Sequence, residues 1–163
     1  MGGGGKRMDM SLVYTMVVCV VMVVLTVLVH YESLRLISDY LLPRLRMHPR
    51  QQMVFMMLGV FAAHTLEVWL FSACLAVMDG YPLFGEFLGN KEGNLVDYIH
   101  YSAVTYTSLG LGDLYPSGNF RLLTGVEALV GLLMIGWSAS FTYIAMVRFW
   151  GLHSEHDQRR KQR

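Results

Sequence analysis

Within the run Tyr106–Pro116, YTSLGLGDLYP, two hydroxyl residues (Thr107 and Ser108), two glycines (Gly110 and Gly112) and the carboxylate Asp113 fall inside seven positions. Those residue types serve three chemistries. A glycine-rich loop cradles phosphate with backbone N–H groups where it follows a strand and opens a soluble helix; here both flanks are strongly apolar. Intramembrane aspartyl proteolysis needs a second carboxylate close enough to share a proton, and Asp9, Asp39, Asp79 and Asp97 all lie outside the apolar runs. The third chemistry uses the backbone itself, with carbonyl oxygens replacing the hydration shell of a cation. Glycines suit that purpose because they adopt backbone angles closed to other residues.

Few other residues invite chemistry. His64 and Glu67 stand three apart in an apolar run, hence on one face of a helix. An ionisable group at that depth is a functional hypothesis by default. Two readings stay open: a hydrogen-bonded pair packed against a neighbouring helix, or a gating device in which Glu67 or Glu127 changes protonation. Glu127 is expected to face the space behind the glycine loop, accepting from Thr or Tyr hydroxyls, because a charge facing lipid costs about 2.5 kcal/mol or more. Cys19 and Cys74 sit in apolar runs and read as small buried hydrophobes. His153 and His156 are too few for a metal centre, and the twelve methionines suit adaptable or lipid-facing packing.

The elements around these residues belong to a membrane. Only 15% of the 163 residues are charged, against about a quarter in soluble domains. Residues 10–29 carry no charge and are long enough to span a hydrocarbon core of roughly 30 Å. The start is basic like a signal peptide, but no small-residue cleavage site follows, so a retained helix is expected. Two further spans follow, 53–78 and 122–150. The expected order is a flexible leader (1–9), an added transmembrane helix (10–30) and a basic connector (31–52), then a pore domain (53–150) and a basic tail (151–163). In the connector, Leu34, Ile37 and Leu41 fit an amphipathic interfacial helix, and Pro43 and Pro49 bracket its basic turn. Within the pore domain lie an outer helix (53–78), an outer loop (79–94), a short helix (95–107), a filter (108–113) and an inner helix (120–150).

Nine of the thirteen basic residues, including Arg35, Arg44, Arg46, Arg50, Arg148 and Arg163, fall on one side of a three-span chain. The positive-inside rule then predicts the N-terminus outside and the C-terminus inside; Lys6 and Arg7 are outvoted. The short helix is too brief to cross, so it enters, stops at the glycines and returns. Bare backbone at such depth is tolerated only where it is buried or lines a wet cavity.

That order of a helix, a short re-entrant helix, T-S-L-G-L-G-D and a long helix resembles the pore module of the potassium-channel superfamily, over about 53–150. The family filter reads Thr-Val-Gly-Tyr-Gly-Asp. The resemblance implies K⁺ ligation by Thr107, Ser108, Leu109, Gly110, Leu111 and Gly112, mainly through carbonyls, with Asp113 at the outer mouth. Leu111 replaces a tyrosine whose hydroxyl braces many such filters; GLG also occurs in the second pores of two-pore channels. His100 and Tyr101 are candidates to supply part of the missing cuff, with His100 reaching Asp113. DLYP and Arg121 match simple two-helix bacterial channels, which implies a bacterial cytoplasmic membrane. Gly131 falls where that family places a gating hinge, although Gly125, Gly131 and Gly136 also suit close packing.

The fold expected is an all-α membrane protein whose pore forms as a homotetramer, because one loop supplies a quarter of such a filter. No enzymatic step, organic cofactor or nucleic-acid partner is expected. Residues 10–29 hold no voltage-sensing arginines, and the 13-residue tail is expected to be too short for a gating domain. Arg148 and Trp150 read as an interfacial anchor, and the tail is expected to meet anionic lipid. Two alternatives remain, a weakly selective cation pore and a non-conducting scaffold.

Overall fold

The computed structural model describes residues 3–44 and 48–161. Helix α1 spans Gly3–Arg35 and passes through a π-helical segment, Leu36–Leu41, into the single turn α2, Leu42–Arg44. Helix α3 spans Pro49–Asp79, α4 Leu95–Tyr106 and α5 Phe120–Lys161, with two short strands, β1 (Phe87–Gly89) and β2 (Leu114–Pro116). Three helices are long and apolar enough to cross a bilayer.

Several bounds differ from the sequence reading. The segment 1–9, expected as a flexible leader, is helical from Gly3, because the first proline after it is Pro43 and nothing interrupts the hydrogen-bond ladder. For the same reason the connector's first half continues α1 rather than forming a separate surface helix. The inner helix runs past Trp150 into the expected tail. Arg46 and Arg163 lie outside the described residues, as do the side chains of Trp150, His153, His156, Arg159, Arg160 and Lys161.

Helix α1 packs on α3 and α5 along one seam. Ser11, Thr15, Cys19, Met22, Thr26, His30 and Leu34 are buried at intervals of three and four, the spacing that keeps residues on one helix face. The opposite face, with Val13, Val17, Val20, Val24 and Leu28, is exposed as lipid contact requires. Thr15 and Thr26 donate to carbonyls four residues back, at 2.9 and 2.8 Å, so their hydroxyls bring no unsatisfied polarity into the seam. Near its start, α1 is tied to the head of α5 by Asn119 Nδ2 donating to Ser11 Oγ at 2.8 Å. At the other end, Ile37, Leu42 and Met56 pack with Phe141 and Ala145.

The segment between α3 and α5 closes on Asp79. Its carboxylate accepts from Lys91, from the Tyr98 hydroxyl at 2.6 Å and from the Phe87 N–H at 3.4 Å. That positions β1, which pairs antiparallel with β2 in the register Phe87↔Pro116, Leu88↔Tyr115, Gly89↔Leu114. Phe87 sits among Tyr98, Tyr101 and Phe120, with ring centroids 4.8–5.8 Å away. Helix α4 begins at Asn94, whose side chain accepts the Asp97 N–H at 3.1 Å, while Asp97 accepts back from Asn94 and Gly93. This reciprocal cap satisfies donors that a helix start otherwise leaves orphaned.

Candidate functional site

Twelve residues of α4 give a rod of about 18 Å, little more than half of a hydrocarbon core. Its C-terminal end delivers the chain to the glycine loop. There the N–H of Ser108 bonds to the Thr105 carbonyl at 2.9 Å, and that of Leu109 to Val104 at 2.9 Å. Thr107 Oγ1 also donates back into the helix, to the Ala103 carbonyl at 2.8 Å. Beyond this point φ is positive at Ser108 (58°), Gly110 (62°) and Gly112 (76°), while Leu109 and Leu111 are not in that region. Alternation in the sign of φ is the backbone pattern by which successive carbonyls can be brought to one side of a loop. Among the described residues, no backbone N–H reaches the carbonyls of Leu109, Gly110, Leu111 or Gly112. The loop thus offers a row of uncommitted oxygen ligands of the kind that replaces an ion's hydration water. Leu109 and Leu111 expose 65% and 58% of their surface, so this chain alone leaves their side chains largely uncovered.

The loop's exit is held by the outer segment. The Asp113 carbonyl accepts from the Asn90 N–H at 3.1 Å, and its carboxylate lies 3.1 Å from His100 Nε2. Desolvation acts to raise the Asp113 carboxyl, but bonds from the Leu114 and Asp113 N–H groups and from His100 outweigh it and hold the group below the usual carboxylate range. Tyr101 turns elsewhere: its hydroxyl donates to Thr124 Oγ1 on α5 at 3.0 Å.

Behind α4, Glu127 is fully buried and meets the Ser102 hydroxyl; its partner on the short helix is thus a serine, not the Thr or Tyr expected from the sequence. Ser102 Oγ also stands 2.9 Å from the Val68 carbonyl. The Ser102 hydroxyl carries one proton and faces two acceptors, so the set is one donor short unless the Glu127 carboxyl brings a proton of its own. Gly131 packs directly on the end of α4, where an added Cβ would lie 2.0 Å from the Tyr106 carbonyl oxygen. Of the two sequence readings of Gly131, this geometry gives the packing one a physical reason.

His64 and Glu67 share a wider network. Glu67 Oε2 accepts from the Tyr106 hydroxyl, His64 Nδ1 lies 2.9 Å from that hydroxyl and 3.4 Å from Oε2, and His30 Nδ1 on α1 reaches Oε1 at 2.7 Å. His30 Nε2 faces Ser138 Oγ on α5 at 3.2 Å. Three helices, α1, α3 and α4, therefore meet at one buried carboxylate immediately before the glycine loop, and α5 joins them through Ser138 and His30. His30, Tyr106, Ser102 and Ser138 were not singled out by the sequence. His30 is the last residue of the expected helix 10–30, where a polar side chain draws no notice; its four-residue spacing from Thr26 and Leu34 was the available signal.

The profile of the family described as Ion channel matches residues 55–148, more than half of the chain. No curated protein and no solved structure matches it. The match covers α3, the re-entrant α4, the glycine loop and the membrane part of α5, leaving α1 as an addition at the N-terminal side. A re-entrant helix feeding a loop of free carbonyls is what that family's chemistry requires, and the chain belongs to the ion channel family, with a potassium-channel-like pore domain preceded by one extra apolar helix.

Proposed function

We propose that four copies of this chain surround one axis and pass K⁺ passively through a filter formed by Thr107–Gly112. The observation that carries this reading is the alternation of φ over Ser108–Gly112 together with the uncommitted carbonyls it lines up. Four such rows replace the hydration shell of a dehydrated cation. The exposed Leu109 and Leu111 side chains find their cover against neighbouring subunits. Helix α4 points its C-terminal end at the pathway, where the helix dipole favours a cation. Asp113 stands at the outer mouth and attracts the ion. No bond is made or broken, and K⁺ is cargo.

The basic connector and the Arg148 end of α5 lie at the same end of the molecule, where Ser38, Pro43 and Arg148 line one cavity. By the positive-inside rule this end faces the cytoplasm and can meet anionic lipid. The N-terminus then lies outside, on the filter-mouth side, in a bacterial type of cytoplasmic membrane. A weakly selective cation pore is the second reading. It is favoured by Leu111, which has no hydroxyl, and by Tyr101, whose hydroxyl is committed to Thr124.

Reconstitution into liposomes with opposed K⁺ and Na⁺ gradients tests both. A reversal potential at the K⁺ equilibrium value supports the first reading. One near zero supports the second, and the absence of current sinks both in favour of a scaffold.

A further inference from the structure

Three metal-ligating side chains converge behind the loop, in a place that ion passage does not use. His30 of α1 and His64 and Glu67 of α3 each offer one ligand atom, and these atoms all lie within 4.8 Å of one another. His30 Nδ1 lies 2.7 Å from Glu67 Oε1, and His64 Nδ1 lies 3.4 Å from the other oxygen of the same carboxylate, Oε2. Tetrahedral ligands bound at about 2.0–2.1 Å stand roughly 3.3 Å apart, so side-chain shifts of about 1 Å place all three around one ion. His30 and Glu67 are fully buried, whereas the His64 side chain is one-fifth exposed and gives a way in.

The surroundings are those of a metal site. A ligating histidine is oriented by an oxygen accepting from its second ring nitrogen, and Ser138 Oγ stands 3.2 Å from His30 Nε2 for that purpose. The carboxylate oxygen left over by the ion is held by the Tyr106 hydroxyl. Two imidazole nitrogens and one carboxylate oxygen match zinc-type ions; calcium takes six to eight oxygens, and magnesium a near-ideal octahedron of them.

We propose that His30, His64 and Glu67 form a binding site for a divalent transition-metal ion of the zinc type, with a fourth position open to water or to the Tyr106 oxygen. On binding, His30 Nδ1 gives up its place against Glu67 to the ion, and the ring proton resides on Nε2, donating to Ser138. The bound ion joins the added helix α1 to α3, and through Glu67 and Tyr106 it stiffens the last turn before the filter. Metal uptake is independent of which cation the pore passes, so the two readings stand or fall separately.

The test uses the full chain purified in detergent, freed of metal with EDTA and titrated with Zn²⁺ or Co²⁺. One Zn²⁺ per chain, a tetrahedral Co²⁺ absorption spectrum, and a melting temperature raised by Zn²⁺ but not by Mg²⁺ are expected. His30→Ala abolishes stoichiometric uptake, Ser138→Ala weakens it about 10–100-fold, and the double variant His153→Ala/His156→Ala retains it. Substoichiometric uptake by the unmodified chain overturns the proposal without recourse to any variant. So does uptake undiminished in His30→Ala, or uptake lost with His153 and His156.

Discussion

Replacing Gly131 by alanine plants a Cβ 2.0 Å from the Tyr106 carbonyl oxygen, 2.9 Å from its carbonyl carbon and 3.1 Å from its Cα. A Cβ atom essentially never comes closer than 3.0 Å to another heavy atom, so the end of α4 must retreat by roughly 1 Å, and the obstacle is backbone with no rotamer to yield. Overpacking of this kind costs about 1–3 kcal/mol. Helix propensity works the other way, since alanine in a helix interior is better than glycine by roughly 0.5–1 kcal/mol. The expected net effect is a loss of about 0–2.5 kcal/mol. For a chain of this size that is a melting temperature lower by about 2–4 °C per kcal/mol. Gly136→Ala is the control: nothing lies within 4 Å of its Cβ position, so only the propensity gain remains. Thermal unfolding of the detergent-solubilised protein reads both variants, and liposome flux reads the glycine loop that follows Tyr106. A Gly131→Ala protein that melts above wild type would refute the packing argument. If it also opened less often, the glycine would be a hinge.

Other perturbations follow from the same contacts. Glu127→Gln brings its own N–H donor to Ser102 and should melt within about 0.5 kcal/mol of wild type, whereas Glu127→Ala should lose at least about 1–3 kcal/mol; equal melting of the two variants contradicts the proton count at Ser102. Asp79→Ala removes the acceptor of Lys91, Tyr98 and the Phe87 N–H. It should cost about 1–3 kcal/mol and speed hydrogen exchange across β1 and the start of α4, and unchanged exchange there argues against the clasp. The Asp113 carboxyl is depressed in the folded chain, so its contribution is fully present above the unfolded value of about 3.9. It is lost as pH falls through the lower folded value. Acid melting curves of wild type and Asp113→Asn should therefore diverge above about pH 4 and converge below it; parallel curves throughout would dismiss the coupling.

The three spans and the re-entrant segment were legible because they rest on run length and on glycine, both local properties. His64, Glu67 and Glu127 were visible for a related reason, since an ionisable group inside an apolar run stands out without knowledge of the fold. His30 was hidden by the same criterion. It closed the expected helix 10–30 as its last residue, where a polar side chain is ordinary, although α1 continues unbroken to Arg35. Tyr106 was hidden differently: an aromatic residue in an apolar helix carries no signal, and its partner Glu67 lies 39 positions away. The strands are three residues each, too short to show alternation. Their pairing depends on the Asp79 clasp, which no periodicity encodes. The assignment of Tyr101 to the filter cuff rested on proximity along the chain, whereas its hydroxyl is drawn to Thr124 by the crossing of α4 and α5.

Two side-chain ties between α1 and α5, Asn119 to Ser11 and His30 to Ser138, span the same sequence distance, 108 residues. Equal offsets mean that the two helices run in the same direction and in step, like the two edges of a ruler. Inserting or deleting one residue in α5 between Asn119 and Ser138 would advance one tie relative to the other by about 1.5 Å and about 100° of rotation, and both could no longer close. Among the described residues, no such hydrogen bond holds the lipid-facing side of α1. Length variation in this protein should therefore be barred from the interior of these two helices and gather in the segments that connect them, whatever happens to the letters of the glycine loop.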